Sequence, residues 1–162
     1  MDDSGFLPRL IELLASEGIR FAVIGGQGVN AYVDPLVSLD LDIVVAVEDR
    51  VRAVDVLSRT FQVERFPHSV NVAETGSRLR VQIQTDSRYD RFVQGAVVRD
   101  VLGWPLPVAA IEDILQGKVW AAEGPSRRPS QRLKDLTLIS RILAKFPALR
   151  PSVPASLLAR LN

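Results

Sequence analysis

The chain has 162 residues, enough for one well-formed core and short for two independent domains. Its 20 lysines and arginines nearly balance 19 aspartates and glutamates, giving a formal charge of +1, so attachment to nucleic acid or to a membrane surface by bulk charge is excluded. The absence of cysteine removes disulfides, thiolate metal sites and cysteine nucleophiles, and one histidine, His68 in a loop after Pro67, leaves little for a zinc site or a histidine triad.

Leu7, Leu10, Ile11, Leu13 and Leu14 recur at helical spacing, with Gly18 as a stop, and predict a helix over 5–17. A short buried strand follows at 21–24. Gly25, Gly26 and Gly28 then predict a turn leading into a short helix near 29–32, broken by Asp34-Pro35 before a strand over 39–47. Residues 48–59 have helical spacing; 61–65 and 70–74 read as strands, the second at a sheet edge. Leu79, Val81 and Ile83 alternate with Arg80, Gln82 and Gln84, which predicts a half-buried strand with a glutamine-bearing polar face. Beyond it come a helical turn at 89–95, an extended stretch from 97 to 107, and helices at 109–122 and 131–144 separated by GPSRRPS. A short helix in the tail, 151–162, docks on the surface. The order predicts an α+β fold with a mixed sheet, a core over 1–108 and C-terminal helices over 109–162 packed on it as one structural domain. The N-terminus lacks the basic start and continuous apolar run of a secretory signal, and no stretch reaches membrane-spanning length, so a cytoplasmic protein without a membrane partner is expected.

The segment FAVIGGQGVNAYVDPLVSLDLDIVVAV carries the strongest chemical signal. Strand periodicity puts Asp40 and Asp42 on one face, where two like charges repel each other unless a divalent cation lies between them. In the alternative reading they are the solvent face of an amphipathic strand that buries Leu39, Leu41 and Ile43. Val44, Val45, Ala46 and Val47 are apolar on both faces, as in a central strand, and a central strand rarely opens with two exposed carboxylates.

A glycine pair after a strand, a short helix and Asp-x-Asp on the next strand resemble the minimal nucleotidyltransferase fold shared with DNA polymerase beta. Pro107, Glu112, Asp113, Lys118, Arg132, Asp135 and Leu136 extend the likeness to the AbiEii-type nucleotidyltransferases of bacterial toxin–antitoxin systems, over roughly residues 20 to 145. The resemblance implies that backbone amides around Gly25 and Gly26 cradle the triphosphate of an NTP and that Asp40 and Asp42 hold Mg²⁺. It implies that Lys118 supplies positive charge to phosphate or to the aspartates, and that Arg132 and Asp135 brace the helices. A snorkelling lysine and an i,i+3 surface salt bridge are the plain alternatives. Ser38 either bonds a phosphate or closes the turn before the strand.

The family's third carboxylate, a metal ligand and base for the attacking hydroxyl, falls at Gln82, whose neutral amide is a weak ligand and no base. Asp86 shares that face but lies four residues along a strand, about 13 Å away; Glu74, on a neighbouring strand, is the other substitute. Two functions follow from the resemblance. One is transfer of a nucleotidyl group to a hydroxyl of an RNA, protein or small-molecule acceptor; the other is a catalytically impaired nucleotide-binding or protein-interaction module. A dinucleotide fingerprint, Gly26 to Ala31 with Glu48 about twenty residues on, also fits formally but lacks the full crossover helix. Arg127 and Arg128 could meet RNA phosphate or be solvated, and Trp104 and Trp120 read as core or interface anchors.

Overall fold

Alternating apolar residues on short strands need helices over them, and the helices here supply matching stripes. The computed structural model describes residues 5–161; residues 1–4 and Asn162, which the predicted core and tail include, lie outside the described residues. Seven strands, β1 (Phe21–Ile24), β2 (Asp40–Val45), β3 (Gln62–Phe66), β4 (Ser69–Ala73), β5 (Arg80–Gln84), β6 (Val97–Val101) and β7 (Trp104–Val108), form one sheet in the order β3-β4-β5-β2-β1-β7-β6. β2 runs antiparallel to β1 and parallel to β5, and β1 runs parallel to β7, so the sheet is mixed as expected. The strand bearing the two aspartates is its middle one, because Ile43, Val44 and Val45 are buried on both faces.

The helices are α1 (Phe6–Ser16), α2 (Gly25–Asn30), α3 (Arg50–Ser58), α4 (Ile111–Glu123), α5 (Pro129–Lys145) and α6 (Ala155–Leu158). α1 buries Phe6, Leu7, Leu10 and Leu14, with Phe6 edge-on to Phe61 at 5.0 Å. α4 and α5 bury Ile114, Leu115, Val119, Leu136, Ile139 and Ile142. Trp120 lies parallel to Phe92 at 5.8 Å and edge-on to Tyr89 at 5.2 Å, the core anchor expected, whereas Trp104 on β7 is 40% exposed. None of the described helices is long and apolar enough to cross a membrane.

Several boundaries differ from expectation for local reasons. The glycine turn and the short helix are one object: α2 starts at Gly25, whose φ of 67° makes the turn, and Gly28 is inside it, where a Cβ would meet Ile114 Cδ1 at 2.9 Å. β2 runs only from Asp40 to Val45, and Leu39, the first residue of the expected strand, is half-exposed before it. The sheet edge is β3 and not the second strand of that pair, since β4 hydrogen-bonds on both sides. The extended stretch 97–107 is a hairpin, β6 with β7, turning at Leu102 and Gly103 with φ of 53° and 87°. Leu-Gly lacks the Asn-Gly or Asp-Gly signature by which such turns are recognised.

A candidate nucleotide site around Asp42

Register places the polar residues in a row. Asp42 on β2 is opposite Ile24 on one side and Gln82 on the other; Gln82 is opposite Asn71 of β4, and Asn71 opposite Glu64 of β3. Asp40 is one step away, opposite Arg80, and the two form an ion pair at 3.0 Å on the exposed end of the strands. The two aspartates thus share a face but not an environment. Asp40 is solvated, while Asp42 keeps only a narrow window to solvent, and desolvation pushes its carboxyl up to about 6. The positive fields of Lys118 and Arg127 offset part of that shift, and the negative charge of Asp40 adds to it.

Gly25 meets Asp42 directly. A Cβ built at Gly25 would stand 2.4 Å from Asp42 Oδ2, in a left-handed conformation that already disfavours a side chain. Gly26 has no such constraint, its nearest neighbour being Ser38 Oγ at 3.9 Å. The Ser38 hydroxyl accepts from the Asp40 amide at 3.3 Å, which closes the turn into β2, and the Ser38 carbonyl accepts from buried Gln27 Nε2 at 3.0 Å. Asn30 holds the same loop by donating to the Leu36 carbonyl at 2.7 Å and accepting from its amide at 3.0 Å. The aspartate strand is therefore tied to the glycine helix by two amide side chains that sequence reasoning passed over. Gly25→Ala is expected to destabilise the protein by at least about 2 kcal/mol from the left-handed backbone and the displaced carboxylate, measured by urea unfolding; a change within about 0.5 kcal/mol would show that Asp42 can move freely.

The cations are arranged differently from the expected pairing of Arg132 with Asp135. Asp135, 1% exposed, accepts from Arg127 Nε at 2.8 Å and Nη2 at 2.9 Å and from Lys118 Nζ at 3.3 Å. Arg132 instead donates to the carbonyls of Ala122 at 2.9 Å and Gly124 at 2.8 Å, at the C-terminal end of α4. Arg127, read as a loop arginine, is thus a site residue, folded back by a carboxylate eight positions along. Lys118 and Arg127, with Gly25, Asp42, Gln82 and Asp113, line a cleft of roughly 150 Å³. Asp42 and Gln82 also line a wider groove of roughly 660 Å³, together with Asp40, Glu64, Asn71, Arg80 and Arg128.

Neither proposed replacement for a third carboxylate reaches this point. Glu74 follows β4 on the face opposite Asn71 and is held by Arg9 of α1. Asp86 caps the helical turn at 87–93, accepting from the Arg88 amide at 3.0 Å, and pairs with the Arg88 side chain. Among the described residues no group of three or more histidine, cysteine or acidic side chains gathers to hold a metal. The oxygen donors at hand are the carboxylates of Asp42 and Asp40 and the Gln82 carbonyl. That set suits Mg²⁺, which takes one or two protein carboxylates and completes its shell from phosphate and water, and a cation there would relieve the desolvated charge of Asp42.

A middle strand bearing two aspartates, a glycine-initiated helix before it, and helices over a mixed sheet of this order make up the nucleotidyltransferase fold. Solved structures share it. The antibiotic-resistance factor ANT(2'')-Ia, in complex with adenylyl-2''-tobramycin, aligns with a TM-score of 0.60 at 15% identity, covering 97% of each chain. The lincosamide antibiotic adenylyltransferase LnuA, lincomycin-bound, aligns with a TM-score of 0.54 at 12% identity over 86% of this chain and 97% of that one. An antigenic nucleotidyltransferase-like protein from Paracoccidioides brasiliensis gives 0.51 at 17% identity, over 95% and 91%. No protein-family profile matches the chain, and no curated protein matches its sequence. At these identities the likeness is one of fold.

Proposed function

We propose that the protein binds a nucleoside triphosphate with Mg²⁺ around Asp42 and transfers its nucleotidyl group to a hydroxyl of an acceptor. The observation that carries this reading is the Asp42 carboxylate, desolvated in the middle of the sheet, pressed against Gly25 and faced by Lys118 and Arg127. A carboxylate under that penalty is poised for a cation, and the two basic side chains in the same cleft suit a polyphosphate. Asp42 and Asp40 would hold the metal, which when bound neutralises charge on the departing pyrophosphate. The residues of the chain do the positioning. Gly25, lacking a side chain, makes room for the Asp42 carboxylate, and the amides of Gly25 and Gly26 would receive a phosphate; Lys118 and Arg127, anchored by Asp135, present fixed charge; Ser38 and Gln27 hold the approach to β2. In the transfer, the acceptor oxygen bonds to the α-phosphorus, the bond from that phosphorus to the bridging oxygen breaks, pyrophosphate leaves, and the hydroxyl proton passes to water, since the Gln82 amide has no place for it. The order of Lys118 and Asp135 on successive helices supports the closer likeness to AbiEii-type proteins.

Isothermal titration of each NTP, with and without Mg²⁺, tests the site; ATP comes first because a structural neighbour was solved with an adenylylated product. Binding is expected only with Mg²⁺ and weakened at least about tenfold in Asp42→Asn, equivalent to about 1.4 kcal/mol. Absence of binding to any NTP would refute the proposal. A second reading, nucleotide binding without turnover, is favoured by Gln82 standing directly opposite Asp42. Gln82→Asp would restore a base and raise the rate of transfer by about 10²- to 10⁴-fold, whereas a rate unmoved by it would show that this position does not limit the reaction.

A further inference from the structure

Asp40 and Asp42 line one part of the wider groove, but the rest of it, out to Glu64 and Asn71, has no part in nucleotide binding, and its chemistry is specific. Its roughly 660 Å³ lies within the range that takes a small molecule. It meets the smaller cleft at Asp42 and Gln82, which line both. A molecule in the groove therefore lies beside a phosphate in the cleft, since both volumes end at Asp42 and Gln82, and a two-substrate transfer requires such adjacency. The floor carries the amides of Asn71 and Gln82 in register on adjacent strands, with Gln62 on β3 and Gln131 on α5 at its margins. Each amide offers both donor and acceptor, the pairing that matches alcohol groups, which do the same.

The lining also argues against a nucleic-acid strand. None of it is aromatic, so there is no platform for base stacking. Outside the metal pair Asp40 and Asp42, Glu64 puts a carboxylate where a phosphodiester would pass, and of the two lining arginines Arg80 is already engaged by Asp40. We infer that the groove is the acceptor site and that it takes a small polyhydroxylated molecule of sugar or cyclitol type, held by Asn71 and Gln82 with one hydroxyl directed at the Asp42 wall. This rests on the nucleotide reading of the cleft, but the groove can be tested apart from it.

Saturation-transfer NMR on the full chain, with Mg²⁺ and α,β-methylene-ATP present, would use glucosamine, myo-inositol and maltotriose as probes and a uridine oligonucleotide as competitor. At least one polyol is expected to receive saturation at its ring protons and to lose about fivefold of its affinity in Asn71→Leu, the size of one hydrogen bond, while the nucleotide signal persists and reports an intact fold. Polyol signals that survive Asn71→Leu unchanged, absence of any polyol signal while the nucleotide binds, or displacement of the polyol by the oligonucleotide at comparable concentration would each overturn the inference. Absence of the nucleotide signal with polyol binding retained would instead refute the nucleotide reading and leave the groove as a polyol site.

Discussion

Asp135→Ala should lower the free energy of unfolding by about 3–5 kcal/mol, the usual cost of removing one partner from a buried ionic group. The carboxylate is 1% exposed and takes three donors, two from Arg127 and one from Lys118. Those donors are 33% and 13% exposed, so once Asp135 is gone neither cation regains full hydration. Asp135→Asn keeps the shape and loses the charge, and its loss should fall between that of Asp135→Ala and wild type. A double variant, Asp135→Leu with Lys118→Met, removes a charge from each side and should recover part of the deficit. Guanidinium unfolding of the four proteins checks this, and a loss below about 1 kcal/mol for Asp135→Ala would mean that the cluster behaves as a surface salt bridge. A second consequence concerns the cleft: with its anchor removed, Arg127 no longer presents a fixed charge there, so Mg²⁺-dependent nucleotide affinity should fall as well.

Asp42→Asn should make the unliganded protein more stable at neutral and alkaline pH while abolishing Mg²⁺-dependent nucleotide binding. The Asp42 carboxyl stands at about 6 in the folded protein against an ordinary 3.8. A raised carboxyl means that the folded state holds its proton more tightly than the unfolded state. The penalty for ionising Asp42 is thus fully present above about pH 6, shrinks as pH falls through that value, and vanishes below the ordinary range, where both states are protonated. About two pH units of separation correspond to about 3 kcal/mol at most, and the asparagine side chain, of nearly the same size, removes this penalty. Melting temperatures compared at about pH 8 and about pH 4 should show the variant well ahead at the first and only slightly ahead at the second. A variant less stable than wild type at alkaline pH would show that the carboxylate is well solvated or serves the fold. Stability gained and binding lost in one substitution is the signature of a site held under strain for function.

The two aspartates were legible in the sequence because strand periodicity is local: residues two apart share a face in any sheet. Their central position was legible too, since Ile43 to Val45 are apolar in succession and only a strand covered on both sides tolerates that. So were the alternation of Arg80 to Gln84 and the stripes of α1, α4 and α5. That Gln82 falls where the family has its third carboxylate was implied by the resemblance alone; its place directly opposite Asp42 is a matter of strand register. The hairpin of β6 and β7 was not legible because its turn uses a leucine at positive φ, a cost that only the surrounding packing sustains.

Where the charges go was decided by the tertiary structure alone. Lys118, Arg127 and Asp135 lie on α4, on the loop after it and on α5, and no periodicity links positions 17 and 8 residues apart across a helix–loop–helix. Their meeting depends on how α5 folds back along α4, which is set by burial of Leu115, Val119, Leu136 and Ile139 rather than by the charges themselves. The difference between Asp40 and Asp42 has the same origin. The sequence presents two equivalent carboxylates on one face; the fold solvates one beside Arg80 and desolvates the other against Gly25, because ionisation answers to the dielectric and the fields around a group, which only the packed molecule supplies.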